Sequence, residues 1–426
     1  MDIHSVCIIG LGYIGLPTAG MFASRGIKVT GVDNNPEVVK SLRSGKVHIY
    51  EPGLSEVIEK ALQSGNLVVE SAPVPADVFL IAVPTPFYED KKADMRAVES
   101  AAQSIVPVLR KGNLVVLEST SPPLTTRERL LPILEGSGLK AGEDFMLAYS
   151  PERVLPGRIM EELTGNARVI GGIDQASAKA GKELYQIFVE GEIVLTDATT
   201  SEMVKLMENT YRDINIAIAN EFSRLADRFG VDAWEAIQIA NKHPRVNILN
   251  PGPGVGGHCI SVDPWFFVEA APDLTPLITT ARLVNDGQPD FVLSLVKRSL
   301  KDLRGKKLAL LGLAFKPDVD DLRESPAVEV AERLAREGAV VKACEPYKPD
   351  YDGKGYVVSS SLEETVHDVD VVLLLVGHAQ FKKLNPEELK NQTTARLVVD
   401  CVNVLNPMEW QAAGFTLLRL GDGKNI

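Results

Sequence analysis

Cysteine is scarce in this chain: there are four in 426 residues, at positions 7, 259, 344 and 401, with no Cys-x-x-Cys pair. That scarcity excludes a disulfide framework and a zinc ribbon. No apolar run approaches the roughly 18 to 20 residues of a membrane helix. Short-period repeats and low-complexity tracts are missing as well. Positive charge is in deficit, with 45 Lys and Arg against 57 Asp and Glu and a formal net charge of −12. An acidic chain speaks against nucleic-acid or anionic-membrane binding as its general business. It leaves room for an anionic small molecule, because a few local Lys and Arg suffice to hold a phosphate. Met1-Asp2-Ile3-His4 offers no basic n-region, and Gly10 and Gly12 interrupt the apolar stretch that follows. We therefore expect no signal peptide and a soluble, cytoplasmic protein.

What is present is ordinary globular composition, 45% hydrophobic and 24% charged. At roughly 150 residues per domain, the length suggests about two or three domains. Three blocks emerge, 1–200, 201–301 and 302–426. In the first, the apolar runs 6–9, 28–32, 78–83 and 114–117 alternate with helical patterns, which points to a parallel sheet covered on both faces. In the second, Ser201 to Phe229 contains neither Gly nor Pro, and Gly230 is placed to end a helix. Leu206, Ile214, Ile218, Phe222 and Leu225 give that helix an apolar face, and a helix of that length suits either a span between domains or a dimer interface. Helical patterns follow over 232–241 and 277–301. The third block repeats the α/β rhythm with strands at 307–311, 340–344, 371–376 and 397–400, a second and smaller doubly wound domain.

Gly10-Leu11-Gly12-Tyr13-Ile14-Gly15 fits GxGxxG. It follows a strand, opens a helical pattern and precedes a second strand that ends in Asp33. That context makes it a dinucleotide fingerprint. The glycines permit a tight turn and close approach to a pyrophosphate, and Asp33 would accept hydrogen bonds from the adenosine ribose. Asn34 and Asn35 follow with no adjacent Arg for a 2′-phosphate, so NAD is expected rather than NADP. Pro84-Thr85-Pro86 and Glu118-Ser119-Thr120 lie directly after strands, where an open α/β sheet places its ligand crevice; ordinary turn chemistry explains them equally well.

Gly252-Pro253-Gly254-Val255-Gly256-Gly257-His258-Cys259 carries the most information. Dense glycine exposes backbone N–H groups and lets a substrate approach, so a thiol here can act as a nucleophile toward an aldehyde. Asp263 follows and could orient a water. A buried structural cysteine in a glycine-rich turn is the other reading. Cys7, Cys344 and Cys401 sit in apolar strands and read as structural. His243, His258 and Cys259 lack metal-ligand spacing, so no metal is expected. Lys205, Asn209 and Arg212 share one face of the long helix. Beside a reacting hydroxyl Lys205 can serve as an acid–base; a solvated face with a Glu208–Arg212 pair is the alternative.

Taken together, Gly10–Pro17, Ala82–Pro86, Glu118–Thr120, Pro151–Gly157, Glu208-Asn209, Asn215–Ala217, Asn220-Glu221, Pro251–Cys259 and Gly312–Arg323 resemble the UDP-sugar 6-dehydrogenase family, in order along nearly the whole chain. The resemblance implies an α/β protein with an N-terminal Rossmann NAD-binding domain, a central long-helix domain and a C-terminal Rossmann-like UDP-sugar-binding domain. It implies a four-electron oxidation of a sugar C6 alcohol to a carboxylate with two NAD⁺, through a thiohemiacetal and a thioester on Cys259. Segments 152–157, 241–248 and 263–266 favour UDP-N-acetyl-D-mannosamine, with UDP-N-acetylglucosamine and UDP-glucose as alternatives. Carried over position by position, Lys205 and Asn209 are the acid–base and oxyanion pair, Asp263 assists, Glu152 is a base, and Thr120 orients a water. Gly10, Gly12, Tyr13, Ile14, Gly15, Asp33, Thr85, Thr120 and Arg323 would meet the cofactor. Arg153, Val154, Lys205, Asn209, Arg212, His243, Arg245, Gly256, Phe315 and Lys316 would hold the UDP-sugar, with Arg245 acting across a homodimer interface. One departure stands out: Asp400-Cys401-Val402-Asn403 lacks the basic residue that family members carry after that strand. From the residues alone, a single-hydride β-hydroxyacid dehydrogenase and a non-enzymatic ligand-binding regulator remain open.

Overall fold

The computed structural model describes residues 2–424. The chain divides into two compact units, one formed by residues 1–208 with 265–272, the other by 209–264 with 273–426.

The first unit holds an eight-stranded sheet: β1 (Ser5–Ile9), β2 (Lys28–Val32), β3 (Leu67–Glu70), β4 (Val78–Ile81), β5 (Leu114–Leu117), β6 (Met146–Tyr149), β7 (Arg168–Gly172) and β8 (Ile193–Asp197), in the order β3-β2-β1-β4-β5-β6-β7-β8. β4 and β5 are buried at every residue. This is why their sequences are continuous apolar runs rather than alternating ones. The sheet is not wholly parallel as expected: β7 runs antiparallel to β6. Between them the chain carries only the short helix Ile159–Gly165. It turns back instead of crossing over, so the pair needs no full βαβ crossover. The first helix, α1 (Gly15–Ser24), is buried from Gly15 to Ala23 and packs into the core with Leu16, Ala19 and Phe22. The next, α2 (Pro36–Arg43), starts on an Asn35 side chain that accepts the Glu37 N–H, with Pro36 at its first position.

The second unit holds six strands, β9 (Lys307–Leu311), β10 (Val340–Cys344), β11 (Val357–Ser359), β12 (Val371–Leu374), β13 (Leu397–Asp400) and β14 (Thr416–Arg419). Their order is β11-β10-β9-β12-β13-β14 and every pairing is parallel. That is the dinucleotide-fold order, with its switch point between β9 and β12. Apolar clusters cover both faces.

The long helix spans Ala198–Phe229 and ends at Gly230, whose φ of 70° is the left-handed cap expected there. Within the second unit its buried face is polar or small: Asp213, Ala217, Asn220, Ser223 and Asp227. Ile218, Phe222 and Leu225, part of the expected apolar face, are exposed. The helical pattern over 277–301 is two helices, Pro276–Asp286 and Gln288–Leu300, broken at Gly287. Pro289 sits in the first turn of the second helix, where its missing N–H costs no hydrogen bond.

Candidate active site

At the carboxyl end of β1 the fingerprint glycines each answer a different demand. Gly10 has φ of 96°, and a Cβ there would lie 2.6 Å from the Ala82 carbonyl oxygen. A Cβ on Gly15 would lie 1.9 Å from the Gly10 oxygen. A Cβ on Gly12, by contrast, would meet nothing within 4 Å beyond its chain neighbours. This is the open space that a pyrophosphate at the head of α1 requires. Tyr13 and Ile14 are half-buried beside it. Asp33 binds the loop from the other side. Its Oδ2 accepts the Leu11 N–H and its Oδ1 the Asn35 N–H, both at 2.9 Å. A cavity of about 570 Å³ opens against Asp33, Asn34, Lys40 and Arg43. Arg43 was not singled out by its sequence. It donates to the Val69 carbonyl at 2.8 Å and pairs with Glu70 at 2.8 Å, so its charge is already engaged. These residues fit a dinucleotide with free ribose hydroxyls. Thr85 and Thr120, at the ends of β4 and β5, are joined by a 2.7 Å bond from the Thr85 hydroxyl to the Thr120 carbonyl.

Farther along the same sheet edge, Glu152 is nearly buried. Its Oε1 accepts the Arg153 N–H at 2.6 Å, and its Oε2 pairs with Arg168 at 2.7 Å. Arg153 is itself paired, with Glu208 at 2.5 Å. The alternative Glu208–Arg212 pair of the sequence reading is thus replaced, and Arg212 instead donates to the Asn209 oxygen at 2.5 Å. The start of the long helix is pinned by Glu202. This buried carboxylate accepts the Leu124 N–H, the Thr126 N–H and the Thr126 hydroxyl at 2.7, 2.8 and 2.6 Å. Lys205, one turn on, is buried.

In the second unit Asn209 donates to Asp263 at 2.5 Å, so two of the residues singled out meet directly. Cys259 is half-buried, while Cys7, Cys344 and Cys401 are buried. The Cys259 carbonyl accepts the N–H of Val262 at 3.0 Å and of Asp263 at 2.8 Å, a turn that leads into the helix Asp263–Ala270. A Cβ on Gly256 would lie 2.5 Å from the Glu324 carbonyl and 3.0 Å from Phe315 Cβ, so only glycine fits against that loop. The ring of His258 contacts Arg323 at 3.1 Å and Asp321 at 3.7 Å. Hydrogen bonds to Asp321 and Cys259 raise its imidazole to about 9 despite burial and Arg323. Asp321 is held well below the carboxylate range by Arg323 and His258, against its own desolvation. Lys316 lies 5.6 Å over the Phe315 ring. His243 and Arg245 are exposed on a loop that Asn241 closes through Ile248, and the 3.3 Å bond from the Arg245 N–H to His243 Nδ1 is local. Among the described residues no group of three or more His, Cys, Asp or Glu could hold a metal ion, and no helix is long and apolar enough to cross a membrane.

Three family models match the chain in order. They are the NAD binding domain of the UDP-glucose/GDP-mannose dehydrogenase family over residues 4–189, its central domain over 199–287 and its UDP binding domain over 309–407. The chain belongs to the UDP-glucose/GDP-mannose dehydrogenase family. Among curated members of this family, the UDP-N-acetyl-D-mannosamine dehydrogenase of Methanocaldococcus jannaschii is 47% identical, covering 99% of this chain and 97% of its own. That of Yersinia pestis is 49% identical over 92% of this chain and 98% of its own. The solved structure of the Pyrococcus horikoshii UDP-D-ManNAc dehydrogenase matches with a TM-score of 0.92 at 40% identity, covering 98% of this chain and 99% of that one.

Membership in this nucleotide-sugar dehydrogenase family makes the eight-stranded sheet the NAD binding module and the six-stranded sheet the UDP binding module. It also sharpens the Asp400 departure. Asn403 accepts a 2.8 Å hydrogen bond from Arg419 on β14, so a guanidinium does stand beside this loop, supplied by the neighbouring strand and also paired with Asp232. Sequence reasoning missed it, along with Arg168, Tyr185, Asp321 and the grip of Glu202. Asp321 and Arg323 are two residues apart in a charged loop, which is a readable signal. The others are paired across long stretches of chain and leave none.

Proposed function

We propose that the chain oxidises the C6 hydroxyl of UDP-N-acetyl-D-mannosamine to the carboxylate of UDP-N-acetyl-D-mannosaminuronate, using two NAD⁺ per sugar. The observation that carries this is the half-buried Cys259, the one cysteine of the four that is not buried, on a glycine-rich turn leading into the helix that Asp263 begins. Bound NAD⁺ supplies the hydride acceptor. Lys205 holds the proton and the developing oxyanion at C6, with Asn209 sharing the load and tied to Asp263. The Cys259 sulfur adds to the aldehyde, and the resulting thiohemiacetal passes to a thioester at the second oxidation. Glu152 takes a proton from the hydrolytic water, which Thr120 orients. Arg153, Val154, Arg212, His243, Gly256, Phe315 and Lys316 bind the UDP-sugar. Arg323 serves the cofactor, with Gly10, Gly12, Tyr13, Ile14, Gly15, Asp33, Thr85 and Thr120.

The three-part division near residues 200 and 301 draws support from the start of the long helix at Ala198 and the end of the helix Gln288–Leu300. A homodimer, or a dimer of dimers, is part of the reading, with Arg245 acting in the partner's site. The exposed Ile218, Phe222, Leu225 and Phe229 along one helix favour it. Four unpaired cysteines suit a reducing compartment, and we place the reaction in the cytoplasm on that ground.

The test is NADH formation over UDP-N-acetyl-D-mannosamine, UDP-N-acetylglucosamine and UDP-glucose. The expected result is fastest turnover of the first, two NADH per sugar acid, and no turnover in Cys259→Ala. Preference for either other sugar overturns the substrate assignment. One NADH per sugar with Cys259→Ala active overturns the four-electron chemistry and favours a single-hydride dehydrogenase.

A further inference from the structure

Four side chains with no assigned part in the reaction converge behind Glu152 in the first unit. Arg168, the first residue of β7, is 5% exposed. Its guanidinium gives one arm to Glu152 Oε2 at 2.7 Å. The other arm reaches Ser150 Oγ at 3.2 Å and Glu118 Oε1 at 3.4 Å. Its plane lies 4.2 Å over the ring of Tyr185, whose hydroxyl donates to Glu118 Oε1 at 2.5 Å. Glu118 Oε2 is buried and has no hydrogen-bond partner. Glu118 and Ser150 directly follow the neighbouring strands β5 and β6, Arg168 begins β7 beside them, and Tyr185 ends the helix Gln175–Tyr185.

A buried guanidinium between two carboxylates is costly to assemble and is weak evidence for stability, since apolar residues would fill the space as well. The arrangement does have a geometric product. Both oxygens of Glu152 are fixed, one by Arg168 and one by the Arg153 N–H, so the carboxylate cannot rotate out of its plane. We propose that Arg168, braced by Glu118, Tyr185 and Ser150, is a positioning residue for the hydrolytic half-reaction, holding Glu152 as the oriented base toward the water that cleaves the Cys259 thioester. The proposal rests on the four-electron reading above. In that step the water oxygen bonds to the acyl carbon as the carbon–sulfur bond breaks. Glu152 accepts one water proton and returns it to the departing sulfur. The remaining proton leaves when the product acid ionises, and nothing is oxidised or reduced.

Glu118 gives the arrangement a measurable signature. Burial pushes it up to about 7, against the pull of Arg168 and helped by the charge of Glu152. Below that pH the guanidinium charge serves Glu152 alone. Above it, two carboxylates share the guanidinium, and the added negative charge favours movement of a water proton toward the cluster. The groups facing Glu118 are Arg168, Glu152 and the Tyr185 hydroxyl, itself raised far above its ordinary range by desolvation and by Glu118.

The experiment is pre-steady-state NADH formation with saturating UDP-N-acetyl-D-mannosamine and NAD⁺ in the full-length enzyme, followed by steady-state turnover from pH 6 to 8. Arg168→Lys is expected to keep a rapid burst of two NADH per Cys259. Its steady-state kcat should fall about tenfold to a hundredfold, the scale of a weakened general base. kcat/KM for both substrates should stay within about twofold, so that KM falls together with kcat, as expected when only a step after substrate capture is slowed. A burst that shrinks in step with kcat would show a merely structural role and overturn the proposal. Glu118→Gln, nearly isosteric and folded where Arg168 variants fail, is expected to abolish the wild-type rise in hydrolysis rate through neutral pH. An unchanged pH profile in that variant overturns it as well. One NADH per sugar in the wild type sinks the four-electron reading instead, so the two failures are distinguishable.

Discussion

Replacing the three fingerprint glycines by alanine, one at a time, should produce two kinds of damaged protein. At Gly10 the methyl meets two obstacles, a left-handed backbone with φ of 96° and the Ala82 oxygen 2.6 Å away. The first costs about 1–2 kcal/mol for an L-residue. The second is an overpacking against backbone, worth about 1–3 kcal/mol more. At Gly15 the obstacle is the Gly10 oxygen at 1.9 Å, which neither residue can avoid without moving the turn, so a loss on the order of 3 kcal/mol or more is expected. At Gly12 the methyl would meet nothing within 4 Å beyond its chain neighbours. The free protein should then change by no more than about 0.5 kcal/mol. The same methyl would stand where the pyrophosphate approaches the backbone, so KM for NAD should rise by about tenfold or more, equivalent to about 1.4 kcal/mol. Thermal melts of the free enzyme read the first pair, at about 2–4 °C per kcal/mol for a unit of this size. Initial rates against NAD concentration read the third. A Gly12→Ala protein that melts as early as Gly15→Ala, or binds NAD as the wild type does, refutes the reasoning.

Other expectations follow from the same coordinates. Glu118 binds its proton more tightly in the folded chain, at about 7 against an ordinary 4.5, so its contribution to stability is complete below the lower value and lost as pH rises to the upper one. Urea midpoints should therefore decline from pH 5 to 7 relative to Glu118→Gln, and a relative rise would contradict the burial. His258 remains an imidazolium at pH 7, raised by Asp321 and Cys259. Its contribution to stability is complete below about 6.5 and lost as pH rises to about 9, so urea midpoints should decline from pH 7 to 9 relative to His258→Gln, and a flat difference would contradict its pairing with Asp321. Phe222→Glu places a charge on the exposed helix face and should convert a dimer to monomers in sedimentation velocity; an unaltered dimer removes that face from the interface.

Much of the scaffold was legible because buried parallel strands are written as unbroken apolar runs. β1, β2, β4 and β5 were readable that way, as were β9, β10, β12 and β13. β8 was not, because its residues are only half-buried or exposed and its sequence, Ile193–Asp197, trails into polar ground. The reversal at β7 was illegible for another reason: strand direction depends on what the connection can span, and 151–158 reads only as a charged, proline-bearing loop. At the site, Asn209 and Asp263 were each visible as residue types, but their 2.5 Å contact joins positions 54 apart. The Arg168 cluster likewise joins Glu118, Glu152 and Tyr185 from separate elements. Side chains that act by holding another side chain have no spacing of their own to read.

The two sheets treat one carboxylate differently. Asp33 stands directly after β2, and Glu345 stands directly after β10, the matching strand of the second sheet. Each accepts an N–H from the loop after the first strand of its own sheet, Leu11 for Asp33 and Leu313 with Ala314 for Glu345. Holding that loop is thus a structural duty that both carboxylates share. Beside Asp33 a cavity remains. Beside Glu345 the buried ring of His378 fills the place, 3.2 Å from the carboxylate. A single imidazole therefore separates the two halves in their trade. It occupies, in the second sheet, the place that stays open beside Asp33 in the first, so one side chain marks which of two similarly held loops keeps a cavity.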